Sequence, residues 1–583
     1  MTFTRTLSSI SMASLAPGLG CLLLCACNKP DDGGPGDGSS SGGEPTTTTT
    51  TTDVPTSTDA PTTATTGPGE PTTTSPTGET DSGSDSTTGD VLPCDPGPRV
   101  STDEVLTAIA HDLDGAAVGV EAFPFTRYLS FVHLANAGLC DEEIEVHRQA
   151  VAKLVNSLSQ EVLVRPPVAI DERRLLLRID IRDYAWSGGP VQLSAPSFYF
   201  RDSDSQTISP AEQAELDKVF ADKWEMIADQ NPYSVSHIGE QALLIASDTH
   251  TKFPILQGDA FVDVASRAPL YYDILGIPLR AGRLAPSHPP CDGDECLESQ
   301  LGLDLLGDLA SELVDDDDVM DRAGLHVSDI SDFNRVIERH RFVDANNRSM
   351  WIAYDFRSQV DTHNIDKHPL DFEFDQTALL YSLPNGFQAY MLADEDGRRI
   401  DEAGVEILQD PSQKDAIDRS AVSCMGCHSV GIIRAQDDIR FDLDNGQSEE
   451  VYTAEQKDQI RALYPSREDL DDLQTEDIAR FVAALEACGL DPEPASEPVL
   501  TTFLAFDEDL AIQRAAAELD LLQEDLQLLI GKLNPDLLEL GKGGTVQRGD
   551  FTVNFAASVC LLDLGLTRCC PLDTQVLEPG CDP

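Results

Sequence analysis

The sequence predicts an α+β body with an appended, mostly α-helical domain, preceded by a disordered N-terminal tether. Three observations support this fold class. Residues 31–91 are almost entirely Thr, Pro, Gly, Ser and Asp, which is too little apolar surface to offset the entropy of ordering. From residue 94 onward, helical and strand-like hydrophobic patterns alternate without an internal repeat. A motif of two cysteines and a histidine near residue 424 is then followed by two amphipathic helical segments.

Length and charge limit the classes of function. The 583 residues exceed one ordinary domain, and a hydrophobic content of 40% is sufficient for real cores. The 102 acidic and 40 basic residues give a formal charge of −62, which argues against nucleic acid or an anionic membrane surface as a partner. The charge favours a soluble partner with a basic docking face. Adaptation to salty surroundings is the alternative explanation, and it names no function.

The first 26 residues predict a bacterial lipoprotein signal peptide. A positively charged start precedes an apolar run, and the run ends in "LCAC", which resembles the lipobox where such signals are cleaved. Cys27 would become the lipidated first residue of the mature chain. Cys21 and Cys25 compete for this role, but the residues ahead of each fit the lipobox less well.

Residues 27–93 would form the tether. A flexible coil of about sixty residues has a reach on the order of 40 Å. Its Thr runs are equally suited to O-glycosylation. No apolar run of 18 residues follows Cys27, so the lipid is the expected membrane anchor. Asn28 is not the Asp that retains lipoproteins at the inner membrane. We therefore expect an extracytoplasmic lipoprotein of the outer membrane, on its periplasmic or cell-surface side.

Cysteine usage agrees with an oxidising compartment. Nine cysteines remain after those of the signal peptide, the lipidation site and the motif are set aside, so disulfides are expected and at least one thiol is left unpaired. The stretch "CDGDEC" predicts a local disulfide between Cys291 and Cys296. Residues 558–583 form a Cys-rich tail in which the adjacent Cys569 and Cys570 are expected to pair elsewhere. The nine are Cys94, Cys140, Cys291, Cys296, Cys488, Cys560, Cys569, Cys570 and Cys581.

Residues 94–300 predict an α+β domain. "STDEVLTAIAHDLDG" predicts a helix capped by Ser101, and "YLSFVHLANAGL" and "EEIEVHRQAVAKLVNSLS" predict two more, the last ending near Ser159. In "PVAIDERRLLLRIDIRDYAW" the apolar residues alternate on both sides of residues 171–174, which predicts a hairpin.

Residues 301–414 predict a second α+β segment that packs on the helical domain. "LHVSDISDFNRVIERHR" is expected to begin as a capped helix, whereas "SMWIAYDF" and "TALLYSLPNGFQAYMLADEDGRRIDEAGVEIL" predict strands joined by an Asp-Gly turn. Residues 415–490 contain the motif and the helices "TAEQKDQIRALY" and "SREDLDDLQTEDIARFVAALEACG". Residues 491–557 predict a helical region with "IQRAAAELDLLQEDLQLLIGKL" as its core helix.

The motif "CMGCH" matches the C-x-x-C-H signature of c-type haem attachment. Thiols at the spacing of Cys424 and Cys427 can add to the two vinyl groups of one haem, and His428 is then placed to ligate the iron. A thioredoxin-like redox pair is expected in a βαβ context, and none is evident here. A zinc site requires a fourth ligand nearby, and the next cysteine, Cys488, is sixty residues away. The predicted export signal supports haem attachment, because haem is attached covalently to proteins outside the cytoplasm. The sequence therefore predicts one covalent haem c.

Residues 415–490 also resemble a small class I cytochrome c domain, whose closing helix "EDIARFVAAL" matches. In that family a Met between the motif and the closing helix is the sixth iron ligand, and here the interval holds neither Met nor His. The iron is then five-coordinate, water-bound, ligated by Lys or Tyr, or capped from upstream. Met391 and His340 lead the upstream candidates, and the others are His368, His363 and Met350.

A wider resemblance extends over residues 99–555. "NRVIERH", "YSLPNGFQAYML", "DEDGRRID" and "VSCMGCHSVGI" resemble, in this order, a largely uncharacterised family of exported bacterial lipoproteins with a single-haem c-type cytochrome domain. "FTRYLSFVHLANAGL", "HRQAVAKLVNSLS" and "LLLRIDIRDYAW" resemble its N-terminal region, and "GGTVQRGDF" its C-terminal region. The resemblance implies haem c, export and an α+β body, but no substrate. "TALLYS" departs from the more Gly- and acid-rich segment expected there.

Three functions follow as hypotheses. The first is electron transfer by a membrane-tethered monohaem cytochrome to a soluble partner. The second is a haem enzyme, or a sensor of peroxide or another small ligand, with an open sixth iron position. The single C-x-x-C-H motif counts against di-haem peroxidase chemistry. The third is a surface binding protein in which haem is structural. No Ser-His-Asp, nucleotide-loop or paired-carboxylate signature supports a hydrolase or an NTPase.

Overall fold

The computed structural model confirms the α+β class and describes residues 94–114, 118–187, 222–291, 295–306, 320–326, 333–342, 348–447 and 451–567. These residues belong to one compact unit that starts at residue 94. The predicted signal peptide, Cys27, the tether and most of the Cys-rich tail lie outside the described residues. Within the described ranges, no helix combines the length and apolarity needed to cross a membrane.

Helices surround a four-stranded sheet in the N-terminal part of this unit. The strands are β1 (Thr126–Ser130), β2 (Val168–Ala169), β3 (Leu176–Asp180) and β4 (Ile255–Gln257), in the spatial order β2-β3-β1-β4. The helices are α1 (Thr102–Asp114), α2 (Val132–Asn136), α3 (Asp141–Ser157), α4 (Lys223–Gln230), α5 (Glu240–Thr249), α6 (Gly258–Ala265), α7 (Leu270–Leu275) and α8 (Leu297–Leu301). Short 3-10 helices lie at Val120–Phe125 and Ile181–Tyr184.

Local sequence signals account for several of these elements. The predicted cap of α1 is confirmed, because the Ser101 hydroxyl accepts from the backbone N–H of Glu104 and the Glu104 carboxylate accepts from the N–H of Ser101. The predicted hairpin is confirmed as β2 and β3. Its turn places Arg174 at φ 53°, and the Asp171 carboxylate accepts from the N–H of Leu176.

The prediction of a helix over "YLSFVHLANAGL" is wrong for its first three residues, 128–130. Residues Thr126–Ser130 form β1, which pairs antiparallel with β3 and parallel with β4, and all five residues are buried. Only Val132–Asn136 is helical. This strand is paired on both sides and buried on both faces, so its sequence Thr-Arg-Tyr-Leu-Ser lacks the alternation of apolar and polar residues that identifies a half-buried strand.

A six-stranded antiparallel sheet follows in the chain. Its strands are β5 (Met320–Leu325), β6 (Arg335–Arg341), β7 (Ser349–Asp355), β8 (Gln376–Ser382), β9 (Gln388–Asp394) and β10 (Arg399–Ile400), and each strand neighbours the next in sequence. The predicted Asp-Gly turn between β9 and β10 is confirmed, with Gly397 at φ 72°. A 3-10 turn at Asp361–His363 lies between β7 and β8.

Cross-strand pairing defines the two faces of this sheet. Arg339 pairs with Trp351, Trp351 with Leu380, and Leu380 with Tyr390, so these side chains share one face, here termed the motif face. Met391 pairs with Leu379, one residue along from Tyr390, and therefore lies on the opposite, far face.

The helix expected within "NRVIERHR" is wrong for residues Arg335–Arg341, which form β6 between β5 and β7. The start of that predicted helix, residues 327–332, lies outside the described residues. Charged residues obscured the strand pattern, because Glu338 and Arg339 are buried on opposite faces. Each is neutralised by a distant partner, Arg322 for Glu338 and Asp477 for Arg339.

Helices dominate after the sheet. They are α9 (Val422–Cys427), α10 (Ile439–Asp444), α11 (Ala454–Leu463), α12 (Arg467–Ala487), α13 (Pro498–Phe506), α14 (Ile512–Glu518), α15 (Gln523–Leu529) and α16 (Arg548–Leu561), with 3-10 turns at Ile530–Lys532, Pro535–Leu537 and Leu540–Lys542. The two predicted helices after the motif are confirmed as α11 and α12, capped by Thr453 and Ser466. The single helix expected over residues 512–533 is wrong, since Asp520 at φ 54° separates α14 from α15.

Disulfides follow the cysteine pattern. The predicted pair Cys291–Cys296 is confirmed, and a second disulfide joins Cys94 to Cys140. Cys488 is free and buried, as an odd count requires. Cys560 is disulfide-bonded.

Candidate functional site

The motif lies on a short helix that follows a strained residue. Ala421 adopts φ 71°, and α9 then carries Cys424 and Cys427 one turn apart. Residues at this spacing share a helix face. Both thiols are free, with Cys424 partly buried and Cys427 exposed. His428 closes the helix, and its N–H donates to the carbonyl oxygen of Cys424 at 2.8 Å.

The His428 ring is oriented by a local hydrogen bond. Its Nδ1 lies 3.0 Å from the carbonyl oxygen of Gly431. Because a carbonyl oxygen only accepts, Nδ1 carries the hydrogen and Nε2 keeps its lone pair. Gly431 adopts φ 106°, a conformation that a residue with a Cβ rarely takes. This short loop therefore orients the imidazole and leaves the lone pair of Nε2 available.

The protein around the motif disfavours charge on all three side chains. Desolvation, followed by the Asp418 and Asp410 carboxylates, raises the pKa of Cys427 to about 11 although part of this residue stays exposed, and burial raises the pKa of Cys424 well above its ordinary value. Burial also lowers the pKa of His428 to about 4, with smaller contributions from the charges of Arg335 and Lys153. Neutral imidazole is the form that binds a metal. Raised thiol pKa values are the opposite of an activated redox pair, which argues against a thioredoxin-like site.

A zinc site is also disfavoured by the arrangement. The ligand atoms of Cys424, Cys427 and His428 are not gathered within 4.8 Å of one another, as a tetrahedral site would need. In the part of the chain that the structure describes, the only such grouping of His, Cys and carboxylate atoms is Cys94, Cys140 and Glu143, and there both thiols are consumed by the disulfide.

Helix α13, which follows later in the chain, packs against the motif helix α9. A Cβ on Gly426, inside the motif, would lie 2.6 Å from Cδ2 of Leu500, so a larger residue there would require the Leu500 side chain to shift. The residue ahead of α13, Glu497, forms a buried ion pair with Lys153 of α3 at 2.9 Å. The Lys153 ammonium also lies 5.5 Å from the Phe481 ring centroid. None of these partners is near the motif in sequence, and sequence reasoning missed them.

Helix α12 is attached to the motif face of the central sheet by Asp477. Its carboxylate accepts from Arg339, Ser349 and Trp351, at 2.9, 2.8 and 2.9 Å. Burial opposes ionisation of Asp477, but the Arg339 guanidinium outweighs it and the pKa is lowered. Tyr390 lies on the same face, and its ring centroid is 5.9 Å from that of His428. The motif therefore lies beside this face of the sheet.

The leading candidates for a sixth ligand lie on the other face. His340 and Met350 are cross-strand partners, and Met391 shares their far face. Met391 is fully buried, and the His340 ring lies 3.4 Å from the Glu338 carboxylate. These side chains and Tyr390 are thus on opposite sides of the sheet.

The remaining candidates lie in the loop between β7 and β8. His368 Nδ1 is 3.2 Å from an Asp371 carboxylate oxygen, and His363 Nε2 is 3.5 Å from one of Asp375. Among the described residues, no hydrogen bond, ion pair or ring contact joins any of the five candidates to His428.

A pair of acids lies near Cys427. Burial, followed by the neighbouring Asp410 carboxylate, raises the pKa of Asp418 to about 6. One oxygen of Asp418 and one of Asp410 are buried without a hydrogen-bond partner. Both carboxylates also raise the pKa of Cys427, after burial itself. No sequence signal singled these acids out.

Comparison with protein-family models, with curated proteins and with solved structures finds no match.

Proposed function

We propose that the protein is an exported monohaem c-type cytochrome that transfers electrons, with haem attached to Cys424 and Cys427 and ligated by His428. The observation that carries this proposal is the hydrogen bond from His428 Nδ1 to Gly431. It leaves the lone pair of His428 Nε2 unused, and the two cysteines one turn apart on the preceding helix have free thiols. The order of motifs along the chain also supports placing it with the exported lipoproteins that it resembles.

The three side chains fit the chemistry of haem c. Covalent attachment requires two thiols on one helix face, and iron ligation requires a neutral, oriented imidazole. The hydrogen bond from His428 Nδ1 to the Gly431 carbonyl oxygen increases the basicity of that imidazole. Haem c supplies reversible one-electron chemistry when bound. The chain's own residues bind and orient it: Gly431 fixes the imidazole, Gly426 lets α13 close over α9, and Tyr390 packs beside the His428 ring.

Compartment and charge support the cellular part of the proposal. Disulfides Cys94–Cys140 and Cys291–Cys296 are typical of an oxidising environment. Lipidation at Cys27 and the tether of residues 27–93 would hold the protein near the outer membrane. A net charge of −62 would steer a soluble redox partner with a basic face and repel nucleic acid.

A second candidate function is supported by the sheet geometry. His340 and Met391 lie on the far face, away from Tyr390 and His428, so neither leading candidate is positioned as a sixth ligand. This favours an open iron position that binds small ligands, as in a haem enzyme or a peroxide sensor.

One experiment tests both functions. The exported chain is matured with the haem-attachment machinery and examined by a pyridine haemochrome assay and by ferric and ferrous absorption spectra. A low-spin spectrum unchanged by cyanide supports electron transfer, whereas a high-spin ferric spectrum that shifts with cyanide supports ligand binding. Absence of covalent haem contradicts both functions and leaves a surface binding protein.

Variants localise the attachment. Cys424→Ala with Cys427→Ala is expected to abolish covalent haem. Cys488→Ala, which removes the free buried thiol outside the motif, is expected to retain it.

A further inference from the structure

We propose that the loop of residues 428–435 and the outer side of helix α12, together termed the loop–α12 surface, form the docking surface for a soluble redox protein with a basic face. This role rests on the electron-transfer function proposed above. In the docked pair, one electron passes from the reduced haem to the oxidised partner, so the haem loses one electron and the partner gains one. No proton or other atom is transferred.

The loop places apolar side chains at the surface directly after the motif. Val430 is 38% exposed and Ile433 is 53% exposed, and Cys427 of the motif is also exposed. Apolar surface left in water contributes favourable free energy when a partner covers it. Haem attached to Cys427 would be linked to the chain beside this loop, and electron transfer slows steeply with distance. A partner that covers the loop is therefore brought close to the haem.

Helix α12 holds the loop in one position. The Arg434 guanidinium pairs with the Asp471 carboxylate and donates to the Thr475 hydroxyl oxygen at 2.9 Å. The N–H of Ala435 donates to Gln474 Oε1 at 2.8 Å, and Gln474 Nε2 donates back to the Ala435 carbonyl oxygen at 2.9 Å. The exposed side chains of the loop thus lie on a segment whose shape is set before a partner arrives, which lowers the entropic cost of binding.

The side of α12 that adjoins the loop is acidic. Helix residues three or four apart share a side, and the stripe that continues from Thr475 consists of Glu468, Asp472, Ala479, Val482 and Glu486. The three acids of this stripe are exposed, and the stripe contains no Lys or Arg. Apolar side chains flanked by acids match a partner whose contact face is apolar at its centre and basic at its rim.

The charge of the stripe selects this partner over other occupants. Nucleic acid and an anionic lipid surface would be repelled. A second copy of the chain is also disfavoured, because a twofold contact would bring the same acids of both subunits together. A basic protein is the occupant that the loop–α12 surface fits.

The test uses mitochondrial cytochrome c as the probe, because it is a soluble redox protein with a lysine-rich face. Its binding to the full, haem-matured chain is measured by isothermal titration calorimetry at low ionic strength, where charges are screened least. We expect saturable binding that weakens as salt is added. No saturable binding under these conditions would overturn the proposal.

Matched charge variants separate local docking from attraction by net charge. Asp472→Asn with Glu486→Gln removes two acids of the stripe and is expected to weaken binding by about fivefold. Glu524→Gln with Asp525→Asn removes two exposed acids of α15, a helix that packs into an apolar cluster containing none of the motif residues. This control should weaken binding by less than about twofold. Equal weakening by the two double variants would show attraction by net charge alone and would overturn the proposal.

A second pair of variants tests the apolar part of the surface. Ile433→Ser is expected to weaken binding by about fivefold, because it removes apolar area that the partner covers. Leu528→Ser, at a position of α15 that is 83% exposed, is the control and should keep the affinity within about twofold. Unchanged affinity of Ile433→Ser at an unchanged melting temperature would contradict the proposal.

The haemochrome assay distinguishes failure of the docking surface from failure of the proposed function. Absence of covalent haem contradicts electron transfer. A haem-loaded chain in which the variants of the loop–α12 surface bind the probe like their controls contradicts the docking surface alone.

Discussion

Lys153 and Glu497 form an ion pair 2.9 Å long although each side chain is only 2% exposed and they are 344 residues apart in sequence. Glu497 also accepts from the N–H of Leu500 at the start of α13. The pair therefore joins α3 to the helix that covers the motif.

Lys153→Met is expected to destabilise the chain by about 3–5 kcal/mol, because it leaves the Glu497 carboxylate buried without a countercharge. Urea unfolding followed by circular dichroism measures the change. The matched control is Lys414→Met, which breaks an ion pair with Asp507 whose side chains are 72% and 47% exposed, and it should change stability by less than about 1 kcal/mol. Equal effects of the two variants would refute a special role for the buried pair.

Gly431→Ala is expected to lower stability by about 1–3 kcal/mol, because alanine at φ 106° is strained. It should also disturb the carbonyl oxygen that orients His428, so the yield of covalent haem in the haemochrome assay should fall. Gly446→Ala carries a similar positive φ, 75°, in open space and away from the histidine. If both variants lose haem equally, orientation of His428 by Gly431 is not the cause.

Asp477→Asn is expected to cost about 3–5 kcal/mol at pH 7, because the buried guanidinium of Arg339 then lacks its countercharge. The lowered pKa of Asp477 fixes the sign of the pH dependence. Its contribution is full above the unfolded value of about 3.9 and is lost as the pH falls through the folded value below it. The difference between the parent and the variant should therefore shrink toward pH 2, as measured by urea unfolding across pH. A difference constant from pH 7 to pH 2 would contradict this assignment.

Asp418→Asn is expected to have the opposite effect and to stabilise the chain by about 1–2 kcal/mol at pH 7. The folded pKa of Asp418, about 6, lies above its unfolded value, so the native chain holds the proton more tightly. Stability is lost as the pH rises between about 4 and 6, and asparagine removes this loss. At pH 4 the variant and the parent should unfold at similar urea concentrations. Stabilisation of equal size at both pH values would point to a cause other than titration.

The sequence predicted secondary structure correctly where the interactions that stabilise it join residues close together in the chain. The caps at Ser101, Thr453 and Ser466 act over three residues, and the helices that they start were predicted correctly. Residues 128–130 lie in a segment predicted as helix, and residues 335–341 lie in a segment expected to begin as one, yet both are strands because of partners elsewhere in the chain. Tertiary pairing decided these segments, and local pattern did not.

The features of the candidate site likewise fall into those formed by residues close in sequence and those formed by residues far apart. The C-x-x-C-H motif and the hydrogen bond from His428 to Gly431 lie within eight residues of sequence, so a short pattern contains them. The ion pair of Lys153 with Glu497 and the packing of Gly426 on Leu500 depend on helices brought together by folding. The placement of Met391 required knowing the pairing of β9, because composition alone does not say which face of a strand a residue occupies.

Strand β9 also sets a constraint on how this protein could change. Tyr390 and Met391 are adjacent, and the alternation of a strand sends one toward the motif and the other away. Loss of a single residue between Asn385 and Tyr390 would exchange the two directions while the rest of the sheet kept its pairing. The number of residues in the short connection before β9 thus determines whether the phenol ring of Tyr390 or the thioether of Met391 faces the motif. A one-codon deletion could therefore change the chemistry beside His428 without any substitution.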